Sequence, residues 1–357
     1  MKKKVVVGLS GGVDSSVAIH LLKEQGYDCV GVTMRTWQHK PEQEGERSVT
    51  ELLEDDARRV ADKFDIPHYI VDFQDKFNEN VKSYFVNEYS QGRTPNPCTV
   101  CNRLVKWDAL LSKADELGAD YVATGHYARV VRLDNGRYTL AKTPTAVKEQ
   151  TYALFRLSQE QLKRTIMPVG EYTKDEIRDI ARRLGLPVAD KPDSQEICFI
   201  PDNDYAGFIK NYSGKEFPEG NFVDLNGNII GRHRGIIHYT VGQRKGLNLS
   251  LGYPAFVTEI RPDTNEVVIG KNEDVFSDIL YADNLNYMGM ADIPPEGIRL
   301  TAKIRYAHAG AYCMATKEAG RLVCRFYEPQ RAVTPGQAVV LYEGDRVAFG
   351  GTIIGTR

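Results

Sequence analysis

Long apolar runs are missing from this 357-residue chain. After the basic start MKKK, the first hydrophobic stretch is only Val5 to Val7 before Gly8 interrupts it. A membrane-spanning helix needs about 20 apolar residues and a secretory leader about 7–15. The shortage predicts a chain that is neither exported nor membrane-embedded, and a cytoplasmic location. Cysteine is sparse as well. Six residues, Cys29, Cys98, Cys101, Cys198, Cys313 and Cys324, are too few to staple a chain of this length as a disulfide framework, which leaves reactive or metal-binding thiols open. Charge of one sign is also lacking. With 46 Lys and Arg against 48 Asp and Glu, the formal net charge is -2, so any contact with RNA must come from local patches rather than a global basic field. No internal repeat or low-complexity tract is evident. What remains is ordinary soluble composition, 42% hydrophobic and 26% charged, which excludes disordered and fibrous classes. The length accommodates two or three domains.

The first half alternates short apolar runs with helical periodicity, the pattern of parallel strands joined by crossover helices in a doubly wound α/β sheet. Strands are expected at Lys4 to Leu9, Tyr27 to Met34, His68 to Phe73 and Tyr121 to Gly125. Helices are expected at Ser16 to Gly26, from a Ser48/Glu51 capping box to Phe64, and at Lys76 to Tyr89, Arg103 to Leu117 and Thr173 to Leu184. Asp134-Asn135-Gly136 predicts a hairpin between Arg129 to Leu133 and Arg137 to Ala141. The Pro-rich stretch Gly92 to Asn102 is expected to be a non-helical loop at the rim of the sheet. After about Pro201 helical periodicity fades and short strands such as Ala255 to Ile260 and Glu266 to Ile269 take over. Domain boundaries are therefore expected near residue 200 and near residues 275–280, giving domains 1–200, 201–277 and 278–357. The last is expected to be a β-barrel built from Arg299 to Tyr306, Arg321 to Tyr327, Ala338 to Glu343 and Arg346 to Ile354.

The sharpest chemical signal is Ser10-Gly11-Gly12-Val13-Asp14-Ser15 between the first strand and the first helix. Glycines there let backbone N–H groups point into a concave nest, and the helix N-terminus adds partial positive charge, so the site suits phosphates. A Walker loop would need a lysine that this segment lacks. It carries instead a carboxylate and hydroxyls, suited to Mg²⁺ and pyrophosphate.

The SGGxDS pattern resembles the PP-loop of the ATP pyrophosphatases, which cleave ATP between the α and β phosphates to adenylate a substrate oxygen. Further segments narrow the choice: Thr94-Pro95-Asn96-Pro97-Cys98-Thr99-Val100-Cys101-Asn102, Ala123-Thr124-Gly125-His126-Tyr127, Lys148-Glu149-Gln150-Thr151-Tyr152, Asp193-Ser194-Gln195-Glu196-Ile197-Cys198-Phe199-Ile200, Tyr239 to Leu247, Ile304-Arg305-Tyr306 and Thr334-Pro335-Gly336-Gln337. Together, and in this order, they resemble the motif set of the tRNA-specific 2-thiouridylases. The resemblance implies ATP and Mg²⁺ as cofactors and a tRNA with a wobble uridine as substrate. It also implies a sulfur-relay protein as persulfide donor. ATP is then bound by Gly8, Leu9, Ser10, Gly11, Gly12, Val13, Asp14 and Ser15, with Met34 against the adenine and Gly125 near the nucleotide. Asn96, Pro97, Cys98, His126, Lys148, Glu149, Gln150, Arg305, Tyr306 and Gln337 are the implied tRNA contacts. In that family the cysteine matching Cys198 receives the persulfide, and the one matching Cys101 closes a disulfide when sulfur leaves. The chemistry agrees, because inserting sulfur at an activated carbonyl takes one thiol to carry the extra sulfur and a second to release it.

One residue departs from the pattern. Where much of that family has an aspartate, this chain has Cys98, and Cys98, Cys101 and Cys198 could then ligate an iron–sulfur cluster with one open position. The persulfide route and the cluster route both stand at this point. So does a rival enzyme class, another PP-loop ligase or amidotransferase, although no N-terminal catalytic cysteine of a fused glutaminase is present. A loop-bearing RNA-binding protein without turnover is a third alternative, weakened by the intact Ser10, Asp14 and Ser15. Cys29, Cys313 and Cys324 lie in strand-like segments and are expected to pack in cores.

Overall fold

Val5, Val6 and Val7 have no exposed surface, and this run forms β1 (Lys4–Gly8), the centre of a parallel sheet. In the computed structural model, which describes residues 2–38, 47–144, 148–191 and 197–356, the chain divides into two compact units. The first comprises Met1–Val81, Cys98–Phe199 and Asp345–Val347, and the second Lys82–Pro97, Ile200–Gly344 and Ala348–Arg357.

In the first unit β1 is flanked by β2 (Asp28–Arg35) and β4 (Tyr121–Ala123), with β3 (His68–Asp72) outside β2. A hairpin of β5 (Arg129–Arg132) and β6 (Tyr138–Ala141) follows, and β7 (Thr165–Ile166) then completes a five-stranded sheet of order β3-β2-β1-β4-β7. All four pairings are parallel, so both faces must be covered. Helix α1 (Val13–Glu24) lays Val17, Leu21 and Leu22 into the core beside Val5 and Val7. Helix α2 (Val49–Phe64) adds Ala57, Val60 and Ala61. The Ser48 capping box forms as expected: Ser48 Oγ accepts from Glu51 N, and Glu51 Oε2 accepts from Ser48 N at 2.7 Å.

The second unit holds a four-stranded sheet of β8 (Gly220–Val223), β9 (Ile229–His233), β10 (Phe256–Arg261) and β11 (Glu266–Gly270). A closed barrel follows, made of β12 (Phe276–Tyr287), β13 (Ile298–Lys303), β14 (Ala311–Glu318), β15 (Arg321–Arg331), β16 (Ala338–Glu343) and β17 (Arg346–Thr356). Pairing runs β12-β15-β14-β13-β16-β17 and returns from β17 to β12, closing these six strands on themselves. Cys313 and Cys324 point into its core with Leu300, Leu341 and Phe349, and Cys29 packs in the core of the first unit.

Two expectations fail. The loop Gly92 to Asn102 contains a helix, Pro97–Cys101, which runs through a π turn (Asn102–Lys106) into the helix Trp107–Glu116. Proline blocks a helix interior but suits its first turn, where its missing N–H has no partner to lose, and that is where Pro97 sits. The region after Pro201 also opens with a helix, Tyr205–Ser213, capped by Asp204 through Gly207 N at 2.9 Å.

Leu22 has no exposed surface, so Leu22→Ala should lower the stability of the first unit by about 2–5 kcal/mol. Urea unfolding checks this, and a loss well under about 1 kcal/mol would contradict its place in the core.

Candidate active site

In an open parallel sheet, ligands bind outside the carboxyl ends of the strands, where strand order reverses. Here that point lies between β1, which leads to β2 on one side, and β4 on the other. The loop after β1 and the turn after β4 meet there. A Cβ on Gly125 would stand 2.5 Å from Ser15 N and 2.9 Å from Asp14 Cβ, so only glycine lets the two segments touch. Gly11 has φ +68°, and a Cβ there would meet Leu53 O at 2.6 Å. Leu9 is held by its N–H on Val32 O at 2.8 Å and its carbonyl under Thr33 Oγ1 at 3.0 Å. Met34, half-buried, is the penultimate residue of β2 and pairs with Val71.

Gly12 caps α1 without any side-chain bond to the first-turn amides. By contrast, α2 and the helix Lys174–Arg183 both carry complete capping boxes. Ser15 and Ser16 turn their hydroxyls to Gly12 O, at 3.2 and 2.8 Å, and Ser10 Oγ lies 3.3 Å from Ser15 Oγ. The N–H groups at the start of α1 are thus left without a protein cap at the positive end of the helix, in the arrangement that receives phosphate oxygens. With the Asp14 carboxylate and two serine hydroxyls alongside, the donor set fits a nucleotide polyphosphate and its Mg²⁺.

Asp14 is engaged by Tyr127, which ends the motif Ala123 to Tyr127, and by Lys174, which no motif marked. Lys174 Nζ lies 2.7 and 2.8 Å from its two oxygens, and Tyr127 OH donates to Oδ1 at 2.7 Å. Lys191 Nζ donates to Gly11 O at 3.2 Å and pairs with Asp56 at 2.7 Å. One clue to Lys174 was available. It occupies the first position of a helix capped by Thr173, where the macrodipole disfavours a cation, so a compensating carboxylate was to be expected.

The three thiols named from the sequence share a neighbourhood in the first unit. Cys98 and Cys198 are exposed and Cys101 is buried. Burial pushes the Cys101 thiol up to about 12, the Lys106 ammonium pulls it back, and negative charge on Cys198 or Cys98 would raise it further. Cys198 as a residue is exposed, yet enough protein surrounds its sulfur that lost hydration is the largest influence and raises it; Lys106 and a hydrogen bond with Trp37 act the other way. Lys106 closes the π turn, and sequence reasoning did not single it out. Beside Cys101, Asn102 donates to Ala153 O at 3.0 Å while its buried Oδ1 has no partner. Among the described residues no group of three or more His, Cys, Asp or Glu side chains is arranged to hold a metal ion. The segment Asp193 to Glu196 lies outside the described residues.

His126 packs against Trp107 with ring centroids 5.6 Å apart, and its Nδ1 is 2.8 Å from Thr124 Oγ1. Gln150 grips the next residue at both backbone groups, accepting from Tyr127 N at 2.8 Å and donating its own N–H to Tyr127 O at 2.9 Å. Glu149 is buried and its carboxylate accepts from Thr151 N. Lys148 is half-buried. Of Lys148, Glu149 and Gln150, Gln150 therefore spends polar groups on fixing the turn after β4, and Glu149 spends its carboxylate on the amide of Thr151.

In the second unit, Arg305 and Gln337 line a cavity of ≈ 270 Å³ with Thr94, Thr240, Thr334 and Arg331. Arg305 donates to Arg331 O at 3.0 Å and Gln337 to Thr94 O at 2.8 Å. Neither guanidinium has a carboxylate partner among the described residues, which leaves the cavity positively charged. Arg331 was missed in the sequence; it ends a strand with no basic neighbour to mark it. Tyr306 is 47% exposed, Asn96 half-buried and Pro97 buried.

Three family profiles match the chain in succession: a tRNA methyl transferase HUP domain over residues 3–202, a tRNA methyl transferase PRC-barrel domain over 206–271 and an aminomethyltransferase beta-barrel domain over 277–354. The chain is 60% identical over 99% of both lengths to the tRNA-specific 2-thiouridylase MnmA of Lachnoclostridium phytofermentans. The proteins of that name from Clostridium perfringens and Carboxydothermus hydrogenoformans are 53% and 52% identical, over 99% of this chain and 98% of theirs.

Burial and then Lys106 hold the His126 imidazolium down to about 3, so the ring should stay neutral through the physiological range. Its ring proton resonances, followed by NMR of histidine-labelled protein, should not titrate above pH 5. A midpoint near the ordinary value of about 6.5 would contradict this placement.

Proposed function

The chain belongs to the tRNA-specific 2-thiouridylase family, and we propose that it uses ATP to replace the 2-oxygen of the wobble uridine in tRNA anticodons with sulfur. The observation that carries this reading is the family match along the whole chain, joined to a phosphate loop and a three-thiol neighbourhood in one unit.

In this account the uncapped start of α1 and Ser10 to Ser15 cradle the ATP phosphates, and the uracil 2-oxygen attacks the α phosphate with pyrophosphate as leaving group. Mg²⁺ at Asp14, when bound, supplies charge neutralisation for the polyphosphate. The terminal sulfur of a persulfide on exposed Cys198 attacks C2, and AMP departs with the oxygen. Cys101 then attacks the inner sulfur of Cys198. The S–S bond breaks, its electrons stay with the sulfur now on the uridine, and a Cys101–Cys198 disulfide forms, to be reduced by an external thiol. Burial raises the Cys101 thiol to about 12, so it is protonated at neutral pH, and its proton passes to the released thiouracil as the disulfide forms. Exposure of Cys198 suits loading by a relay protein. The neighbouring Cys98 stands in place of the family's aspartate. The cluster route draws no support from the arrangement of donor groups among the described residues.

The implied RNA contacts divide into a neutral His126 with Lys148, Glu149 and Gln150 near the turn after β4, and Asn96, Pro97, Tyr306 and the Arg305/Gln337 cavity in the second unit. Two unpaired guanidiniums in one cavity are what a backbone phosphate would neutralise. We propose three domains, 1–200, 201–277 and 278–357, a division supported by profile matches over 3–202, 206–271 and 277–354. No helix among the described residues is long and apolar enough to cross a membrane, in keeping with the proposed cytoplasmic location.

Cys198→Ser separates the two half-reactions, because a hydroxyl cannot carry a persulfide. With tRNA and ATP the variant should still release pyrophosphate but form no 2-thiouridine, as read by nucleoside analysis. Thiolation retained in the variant would refute the persulfide role.

A further inference from the structure

Release of sulfur from a persulfide calls for two thiols, and this site holds a third. Cys98 and Cys101 are the second and last residues of the helix Pro97–Cys101. Residues three apart on a helix share a face, and two thiols at that spacing in a first turn are placed to join as a disulfide. Cys98 and Cys101 also lie within electrostatic reach of each other and of Cys198. Access separates them. Cys98 and Cys198 are exposed, whereas Cys101 keeps only 7% of its surface. A disulfide between Cys101 and Cys198 therefore poses a problem, because it closes the thiol that must be loaded again. An outside thiol reaches only its Cys198 sulfur. Attack there would leave that thiol bonded to Cys198 and eject Cys101 as a thiolate, which burial opposes by holding this thiol up at about 12.

We infer that Cys98 reopens Cys198 after each sulfur transfer by moving the disulfide from Cys101–Cys198 to Cys98–Cys101. This rests on the thiolation reading above. The Cys98 sulfur attacks the Cys101 sulfur, the Cys101–Cys198 bond breaks, and its electron pair leaves on Cys198. The proton given up by Cys98 is regained from solvent by Cys198, so the exchange itself involves no net oxidation. Exposed Cys198, not buried Cys101, is the leaving group. A reducing dithiol then attacks the exposed Cys98 sulfur and ends as its own disulfide, and its two hydrogens finish on Cys98 and Cys101. That reduction still has to eject Cys101, but it no longer delays the loading of Cys198.

The test is a single turnover of the full-length protein, loaded with persulfide from inorganic polysulfide, cleared of excess reagent and given tRNA and ATP without a reductant. Samples are quenched in acid, alkylated and peptide-mapped, and 2-thiouridine is measured in the same samples. In the wild type a Cys101–Cys198 disulfide should appear together with 2-thiouridine and then give way to Cys98–Cys101, while Cys198 becomes open to alkylation. In Cys98→Ser and Cys98→Asp the disulfide should stay at Cys101–Cys198, and Cys198 should reopen at least about tenfold more slowly until a dithiol is added. Wild-type 2-thiouridine with a final disulfide anywhere but Cys98–Cys101 would overturn the proposal, as would equally fast reopening of Cys198 in the variants. The wild-type map decides the matter even if a variant folds poorly. Wild-type protein that made neither 2-thiouridine nor a disulfide at Cys198 would instead refute the thiolation reading.

Discussion

The carboxylate of Asp14 accepts from Lys174 and Tyr127, and through these contacts the first turn of α1, the turn after β4 and the helix Lys174–Arg183 are fixed to one another. Gly125 makes the arrangement sterically feasible and Gln150 holds Tyr127 in place by its backbone. Much of what surrounds the loop follows from this constraint. The start of α1 has no side-chain cap and carries Asp14 in its first turn. The residues after β4 are drawn against the loop, and a helix otherwise distant in sequence supplies the cation. Lys191 repeats the device on the other side through Gly11 and Asp56.

The proposed sulfur chemistry would place a different demand on the same unit, one thiol reachable and its partner protected. Exposed Cys198 and buried Cys101 satisfy that demand by position rather than by residue type, and the Lys106 ammonium acts on both. Lys106 ends the π turn Asn102–Lys106 and is half-buried. His126, neutral beside Trp107, shares that field without adding a charge of its own.

How much of this could be read from the residues alone depended on how local each signal was. Ser10 to Ser15 was legible because loop, strand and helix are consecutive. The alternating strands and the Ser48 capping box were legible for the same reason. Lys174 was not, because its partner lies in another part of the chain and only its unfavourable helix position hinted at one. Pro97 misled, since proline blocks a helix interior but opens one equally well. Strand β12, with Asp278, Asp283 and Asn286 among its residues, and β14 lack a clean apolar alternation, and barrel closure supplies the pairing that pattern did not announce. The Arg305/Arg331 cavity was half legible, as Arg305 belongs to a motif and Arg331 reaches the cavity only through folding.

The account stands or falls on the modified base. Mass spectrometry of nucleosides from tRNA of cells with and without this gene measures it directly. The 2-thiouridine derivatives of the wobble position should be present in the first and lost in the second, with return on re-expression of the wild-type chain. Unchanged 2-thiouridine levels without the gene would contradict the assigned function.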